Sequence, residues 1–333
     1  MEHIRLSYIL PCYNTGPYIR TCIESLYRQS LPLDEFEVIF VNNATEDNSE
    51  EIIIDLQKNY PNLIYIKLPN NICTGGAYNA GLDVARGRYI QFVDSDDYLK
   101  DNVEQLLLKY AEANDLDMVY FNIESFTDDN RLTHEENLRF NGNFALEIPP
   151  SDGEDFIEIY TENKSYDTMP VPAYRKLIRR ALFEESRIRF TPTTLGTDYL
   201  TNLQLLLVGK KIAASTKRNY MFRYNPSGVT KSSMTPIKNV YGLNNYSAAY
   251  LVSKKIKMEQ VRSIVQDELK GTLGMYMSYL NSYDQKGLQY VREHIQDKFL
   301  LALILGNSAA RLLYSPAEML WFRLKRRLYL LLQ

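Results

Sequence analysis

Four consecutive residues, Asp94, Ser95, Asp96 and Asp97, carry the strongest chemical signal in the chain. Three carboxylates within four positions repel one another in a folded protein, and a divalent cation turns that repulsion into attraction. Such oxygen donors suit Mg2+ or Mn2+, which commonly bridge protein carboxylates and substrate phosphates. The same tetrapeptide also reads as a helix N-terminus or a solvated acidic turn, both favoured by Asp on other grounds. Its setting favours the cation: it follows Tyr89 to Val93, an apolar run of buried-strand length. Parallel α/β sheets hold ligands at the carboxyl ends of their strands.

The surrounding elements must bring distant residues to that edge. Ile4 to Leu10 reads as a strand ended by Pro11, Phe36 to Val41 as a second and Leu63 to Leu68 as a third. Helices are expected between them. Ile19, Cys22, Ile23 and Leu26 follow the spacing of one buried helix face, Asp47 to Tyr60 stops at Pro61, and Thr74 to Arg86 keeps a helical period despite three glycines. Asp101 to Ala113 follows as a helix and Asp117 to Asn122 as a strand. Repeated βαβα predicts a mostly parallel sheet covered on both faces. Tyr13-Asn14, Asn42-Asn43 and Asp94 to Asp97 each follow a strand, so all three should line one sheet edge.

Beyond residue 123 the pattern loosens. Thr127 to Asn130 reads as a hairpin turn, and Asp152 to Tyr160, Lys176 to Glu185 and Asp198 to Val208 read as helices. After Pro236 the period is helical throughout, with candidates near 239–257, 258–281, 286–306 and 316–332. The expected division is 1–235, itself halved at 125, and a helical region over 236–333.

Composition narrows the function classes. A net charge of −3 gives no basic field for nucleic acid. Three cysteines without CxxC spacing argue against a disulfide framework or a zinc site and fit a reducing cytosol. No secretory leader and no membrane-spanning run is expected. The 26 tyrosines suit surfaces that touch sugars or headgroups, or reflect compositional drift. There is no G-x-G-x-x-G, P-loop, H-E-x-x-H or G-x-S-x-G motif, and the three histidines are scattered.

Several segments in order then resemble the family 2 glycosyltransferases, which have the GT-A fold. They are Ser7 to Asn14, Val38 to Asp47, Asn79 to Leu82, and Gly87 to Asp97. A looser match continues through Tyr174 to Arg180, Gly196-Thr197-Asp198 and Tyr220 to Thr230. The resemblance implies a Rossmann-like nucleotide-diphosphosugar transferase fold and an inverting transfer from a nucleotide-sugar, with uridine the default base. It implies a donor site of Pro11, Tyr13, Asn14, Asn42, Asn43, Tyr78, Asp94, Ser95, Asp96 and Arg223. Asp96 and Asp97 would hold Mn2+ or Mg2+. In relatives the Tyr13 position stacks near the base, and an acid usually stands where Asn43 does. Many relatives carry Arg where this chain has Tyr78, which leaves phosphate contact to another cation, Arg223 or Lys231. The Gly-Glu-Asp of relatives is Gly196-Thr197-Asp198 here, making Asp198 the expected catalytic base, or else a helix cap.

The implied acceptor is a glycan or lipid-linked glycan of a bacterial surface polysaccharide. The basic amphipathic stretch within 316–332 would dock on the cytoplasmic face of the membrane or pack on the domain with its cations solvated. Two rivals remain in play. One is a nucleotide-sugar-binding protein without catalysis, motivated by Asn43, Tyr78 and Thr197. The other is a nucleotidyltransferase, disfavoured because no Gly-rich basic loop follows the first strand.

Overall fold

The computed structural model describes residues 4–128, 144, 146–162, 170–224, 233–314, 318–319, 322–323 and 325–327. The chain forms two compact units. One comprises Met1–Thr193 with Thr201–Gly228, and the other Thr194–Leu200 with Val229–Gln333.

Among the described residues the first unit is a nine-stranded sheet with helices packed on it. Strands β1 (Leu6–Cys12), β2 (Phe36–Asn42), β3 (Leu63–Lys67) and β4 (Tyr89–Phe92) alternate with helices α1 (Gly16–Tyr27), α2 (Ser49–Gln57) and α3 (Cys73–Leu82). These four strands are parallel, in the order β3-β2-β1-β4. Both faces of β1 and β2 are covered, which is why their sequences are apolar without alternation. In α1 the predicted face of Ile19, Cys22, Ile23 and Leu26 is fully buried.

Strand β1 runs through Pro11 instead of stopping before it. Cys12 turns its carbonyl toward β2, where Asn43 N–H donates to it at 2.9 Å. Pro11 therefore faces β4, whose pairing with β1 has ended at Ile9. No partner there calls for the N–H that proline lacks.

The remaining strands are β5 (Tyr98–Leu99), β6 (Met118–Phe126), β7 (Ile148–Ser151), β8 (Lys176–Arg179) and β9 (Ile212–Arg223). They extend the sheet as β4-β8-β6-β9-β5, with β7 also beside β9. Helices α4 (Glu104–Ala113), α5 (Gly153–Glu162), α6 (Arg180–Ser186) and α7 (Thr197–Val208) connect them. The helix expected over Lys176 to Glu185 is thus half strand. Leu177 and Ile178 fill the slot between β4 and β6, and antiparallel pairing on both sides overrides a short, ambiguous apolar period. The expected hairpin at Thr127 to Asn130 lies partly outside the described residues.

The second unit is helical: α8 (Pro236–Ser253), α9 (Glu259–Ser278), α10 (Gln285–His294), α11 (Lys298–Leu305) and α12 (Asn307–Leu313). Its core joins Leu243, Leu273, Val291, Leu301 and Leu313. The single helix expected over 286–306 is divided: the first part ends at His294, and Asp297 caps the next, accepting from Leu300 N–H at 2.8 Å. Phe322 is buried against Ala302 and Ala310, and Lys325 lies over the Phe299 ring. Arg323, Lys325 and Arg327 are exposed. Residues 316–317, 320–321, 324 and 328–332 of that stretch, Leu320, Leu324, Leu328 and Leu331 among them, lie outside the described residues. Among those described, no helix is long and apolar enough to cross a membrane.

Candidate active site

The acidic residues form a tight turn beyond β4, closed by Asp97 N–H donating to the Asp94 carbonyl at 3.0 Å. Burial alternates along it: Asp94 and Asp96 are half-buried, while Ser95 and Asp97 are 2 % exposed. The turn is tied to α3, to β1 and its following loop, and to β9. Tyr78 of α3 donates its hydroxyl to Asp94 Oδ1 at 2.9 Å. The Ser95 hydroxyl donates to the Pro11 carbonyl at 2.9 Å, and Thr15 Oγ1 lies 2.8 Å from Ser95 Oγ. From β9, Tyr220 O–H donates to Asp97 Oδ2 at 2.8 Å and Arg223 N–H donates to Asp97 Oδ1 at 2.6 Å.

The electrostatics follow from that packing. Burial pushes the Asp97 carboxyl well above its ordinary range, and the neighbouring charges of Asp96 and Asp94 push the same way. Donation from Arg223 N–H and Tyr220 O–H pulls against them. Burial also raises Asp96, opposed by its own N–H and by the Arg223 charge. The Arg223 guanidinium donates from Nε to the Asp96 carbonyl at 2.8 Å and is paired with Asp128. It lies 4.4 Å from the Tyr18 ring centroid and 4.6 Å from that of Phe126. The structure therefore brings Arg223, anticipated as a cation for the site, against the acidic turn. Lys231 lies outside the described residues.

The donor set fits a hard divalent cation of the kind that takes one or two protein carboxylates and completes its shell with phosphate and water. Asp94 and Asp96 are half-buried oxygen donors held close on one turn. Among the described residues no group of three or more His, Cys, Asp or Glu converges into a complete cage. Such a cage belongs to a resident structural metal rather than to a cation arriving with a phosphorylated ligand.

The other anticipated donor residues fall into two kinds. Tyr13 is 42 % exposed on the loop after β1, free to offer a ring face. Asn14 adopts φ +57°, and its Oδ1 accepts from Glu46 N–H at 2.8 Å, tying that loop to the one after β2. Asn42 and Asn43 are buried, with their amides engaged inside the protein. Asn42 Nδ2 donates to Tyr65 Oη, and its Oδ1 accepts from Thr45 N–H. Asn43 Nδ2 donates to Asn71 Oδ1, and its Oδ1 accepts from Ile72 N–H. Asn43 thus pins the loop leading into α3. Tyr78 is likewise buried, its ring against Phe92 and Phe190.

Asp198 belongs to the second unit. It is half-buried in the first turn of α7, inside the helix and not at its cap. Gly196 before it takes φ +76°, a left-handed conformation that glycine adopts without strain. A carboxylate in a first helical turn is stabilised by the helix dipole.

Three residues that organise the site were not singled out from sequence. Thr15 and Tyr220 hold the acidic turn. Asp47 accepts from Gly16 N–H at 2.9 Å and Ser49 N–H at 3.0 Å. Burial works to raise the Asp47 carboxyl, but donors on Ser49, Gly16 and Thr45 outweigh it and hold it below the ordinary range. Tyr220 and Asp47 carried a signal, as the first residue of the loosely matching Tyr220 to Thr230 segment and the last of the matching Val38 to Asp47 segment; Thr15 carried none.

Comparison with known proteins adds an independent line. Residues 7–186 match the family model described as "Glycosyl transferase family 2". The chain is 31% identical over 246 residues to the uncharacterized glycosyltransferase EpsJ of Bacillus subtilis (strain 168), covering 73% of this chain and 68% of that protein. It is 24% identical over 242 residues to a poly(ribitol-phosphate) beta-glucosyltransferase of Bacillus spizizenii, covering 72% of this chain but only 35% of that longer protein. Among solved structures, residues 1–349 of S. aureus TarS in complex with UDP-GlcNAc superpose with a TM-score of 0.69 at 18% identity, covering 93% of this chain and 84% of that one. With the parallel half-sheet, the acidic turn at its carboxyl edge and the family match over more than half its length, the chain belongs to glycosyl transferase family 2 and is a glycosyltransferase of GT-A fold.

Proposed function

We propose that the protein is an inverting glycosyltransferase that takes a sugar from a nucleoside-diphosphate donor, with UDP the favoured nucleotide, and passes it to a glycan or lipid-linked acceptor in surface-polysaccharide synthesis. The observation that carries this is the turn beyond β4: two half-buried carboxylates, Asp94 and Asp96, stand on one turn with Arg223 bound against it. A poly(ribitol-phosphate) glucosyltransferase among the relatives and a UDP-GlcNAc complex among the similar structures support the donor and acceptor classes.

In this reading Asp94 and Asp96 are the residues that would hold Mn2+ or Mg2+ at the donor diphosphate. Such a cation, when bound, would supply positive charge against that on the leaving nucleoside diphosphate. Tyr13 stacks on the base, and Arg223 supplies positive charge near the phosphates. Pro11, Asn14, Asn42, Asn43, Tyr78 and Ser95 shape the donor site through the loops and turn they tie down. Asp198 accepts the proton of the acceptor hydroxyl as its oxygen bonds to the anomeric carbon and the bond to the diphosphate oxygen breaks.

The membrane reading narrows. Residues 236–333 carry 14 Lys and Arg against 7 Asp and Glu, whereas the first 235 carry 24 against 34. The exposed Arg323, Lys325 and Arg327 suit electrostatic adsorption to an anionic cytoplasmic leaflet, with Phe322 retained in the protein.

The test is donor hydrolysis and transfer with UDP-sugars and Mn2+ across a panel of acceptors. Release of UDP that requires the cation and falls away in Asp96→Asn supports the proposal. Binding of donors without turnover on any acceptor favours a non-catalytic nucleotide-sugar-binding protein instead.

A further inference from the structure

Tyr220 stands where β9 passes the acidic turn, and its hydroxyl is used twice. It accepts Asp94 N–H at 2.9 Å and donates its own proton to Asp97 Oδ2 at 2.8 Å. A phenol that accepts and donates at once can do so in one orientation only. The ring is fixed as well, stacked on Tyr174 at 4.5 Å and 15°, with Tyr174 stacked in turn on Phe222 at 5.8 Å and 19°.

Three residues further along the strand, Arg223 N–H takes the other oxygen of Asp97 at 2.6 Å. Asp97 N–H returns to the Asp94 carbonyl at 3.0 Å. The bonds form a closed circuit: Asp94 N–H to Tyr220 Oη, Tyr220 O–H to the Asp97 carboxylate, and Asp97 N–H back to Asp94. Tyr220 and Asp97 are buried within it. Both oxygens of Asp97 are held by donors from β9, whereas the Asp96 carboxylate, among the described residues, takes only its own backbone N–H.

We propose that Tyr220 and Asp97 are a positioning pair that locks the acidic turn onto β9, and that Asp97 serves the turn rather than the cation. This rests on the cation reading of the turn given above. It reassigns Asp97, which the family resemblance paired with Asp96 as a cation ligand, because its two oxygens already serve the fold.

Tyr220→Phe removes the hydroxyl and keeps the stacked ring. Mn2+ affinity in the presence of UDP, followed by the electron paramagnetic resonance of free Mn2+, reads the cation. Hydrogen exchange of peptides spanning residues 92–98 in cation-free protein reads the lock. Tyr120→Phe is the control: it removes another buried hydroxyl bond of the same sheet, to Asn202 Oδ1 at 2.6 Å, away from the turn. The expected result is Mn2+ affinity about tenfold weaker in Tyr220→Phe, with faster exchange over 92–98. Tyr120→Phe should match the wild type in both.

If Asp97 is itself a ligand, freeing its Oδ2 leaves Mn2+ affinity unchanged or raises it, and the proposal fails. Unchanged exchange over 92–98 also overturns it, because the turn would then hold without the phenol. A wild type that takes up no Mn2+ with UDP overturns the cation reading together with the pair's role, and is distinguishable from either failure.

Discussion

Replacing Glu104 with Gln should make the protein more stable, by an amount that grows with pH. Glu104 begins α4 and lies wholly inside the first unit, beneath the strands that carry the site. Asn219, the residue before Tyr220, donates Nδ2 to its carboxyl. Burial raises the carboxyl from an ordinary 4.5 to about 8, with the Asn219 donor pulling the other way. A raised folded-state value means that the favourable contribution is complete below 4.5 and is lost as pH rises through about 8. At 1.36 kcal/mol per pH unit, the buried carboxyl costs about 1 kcal/mol at pH 5, about 3 at pH 7 and about 4 at pH 8. Gln has no proton to lose, so the difference between variant and wild type isolates this group from every other titration. Chemical denaturation of both proteins at pH 5, 6, 7 and 8 measures it. A difference that stays flat across that range would refute the argument and imply that Glu104 is ionised in the folded protein throughout.

Three further outcomes follow from other parts of the molecule. Gly153→Ala should cost about 3 kcal/mol in chemical denaturation, because a Cβ there would stand 1.7 Å from the Leu206 carbonyl oxygen and backbone must move; wild-type stability would contradict the packing of α5 on α7. Asp198→Asn should leave UDP binding by calorimetry unchanged and lower transfer at least about a hundredfold, whereas near-normal transfer would place the base elsewhere. Replacing Arg323, Lys325 and Arg327 together with Ala should weaken co-sedimentation with anionic vesicles at low salt by about a hundredfold, at about 1 kcal/mol per cation; unchanged partitioning ends the membrane reading.

The parallel half of the fold was legible because period and burial agree there. Strands β1 and β2 are apolar on both faces, and α1 shows its buried stripe in the spacing of Ile19 to Leu26. Strand β9 was not legible. Ser215 to Asn219 is polar, Lys217 and Arg218 are exposed, and pairing with β6 rather than local propensity makes it a strand. The same holds for Lys176 to Arg179, which becomes a strand only between two neighbours.

The site divides in the same way. Asp94 to Asp97 announce themselves through like charge at a strand end. Tyr220, 123 residues beyond Asp97, does not, because nothing local signals where its hydroxyl goes. Asn43 carries a residue type that could read a base, yet its amide is engaged by Asn71 and Ile72 across the sheet edge. Such long-range hydrogen bonds are set by the assembled fold.

The decisive property of the turn beyond β4 is joint binding of a diphosphate and a divalent cation. Calorimetric titration of UDP into the wild type and into Asp96→Asn, each with Mn2+ and with EDTA, tests this most directly. Mn2+ should tighten UDP binding to the wild type by at least about tenfold and have no such effect on Asp96→Asn. Equal UDP affinity with and without Mn2+ in the wild type, or an undiminished Mn2+ effect in Asp96→Asn, would contradict it.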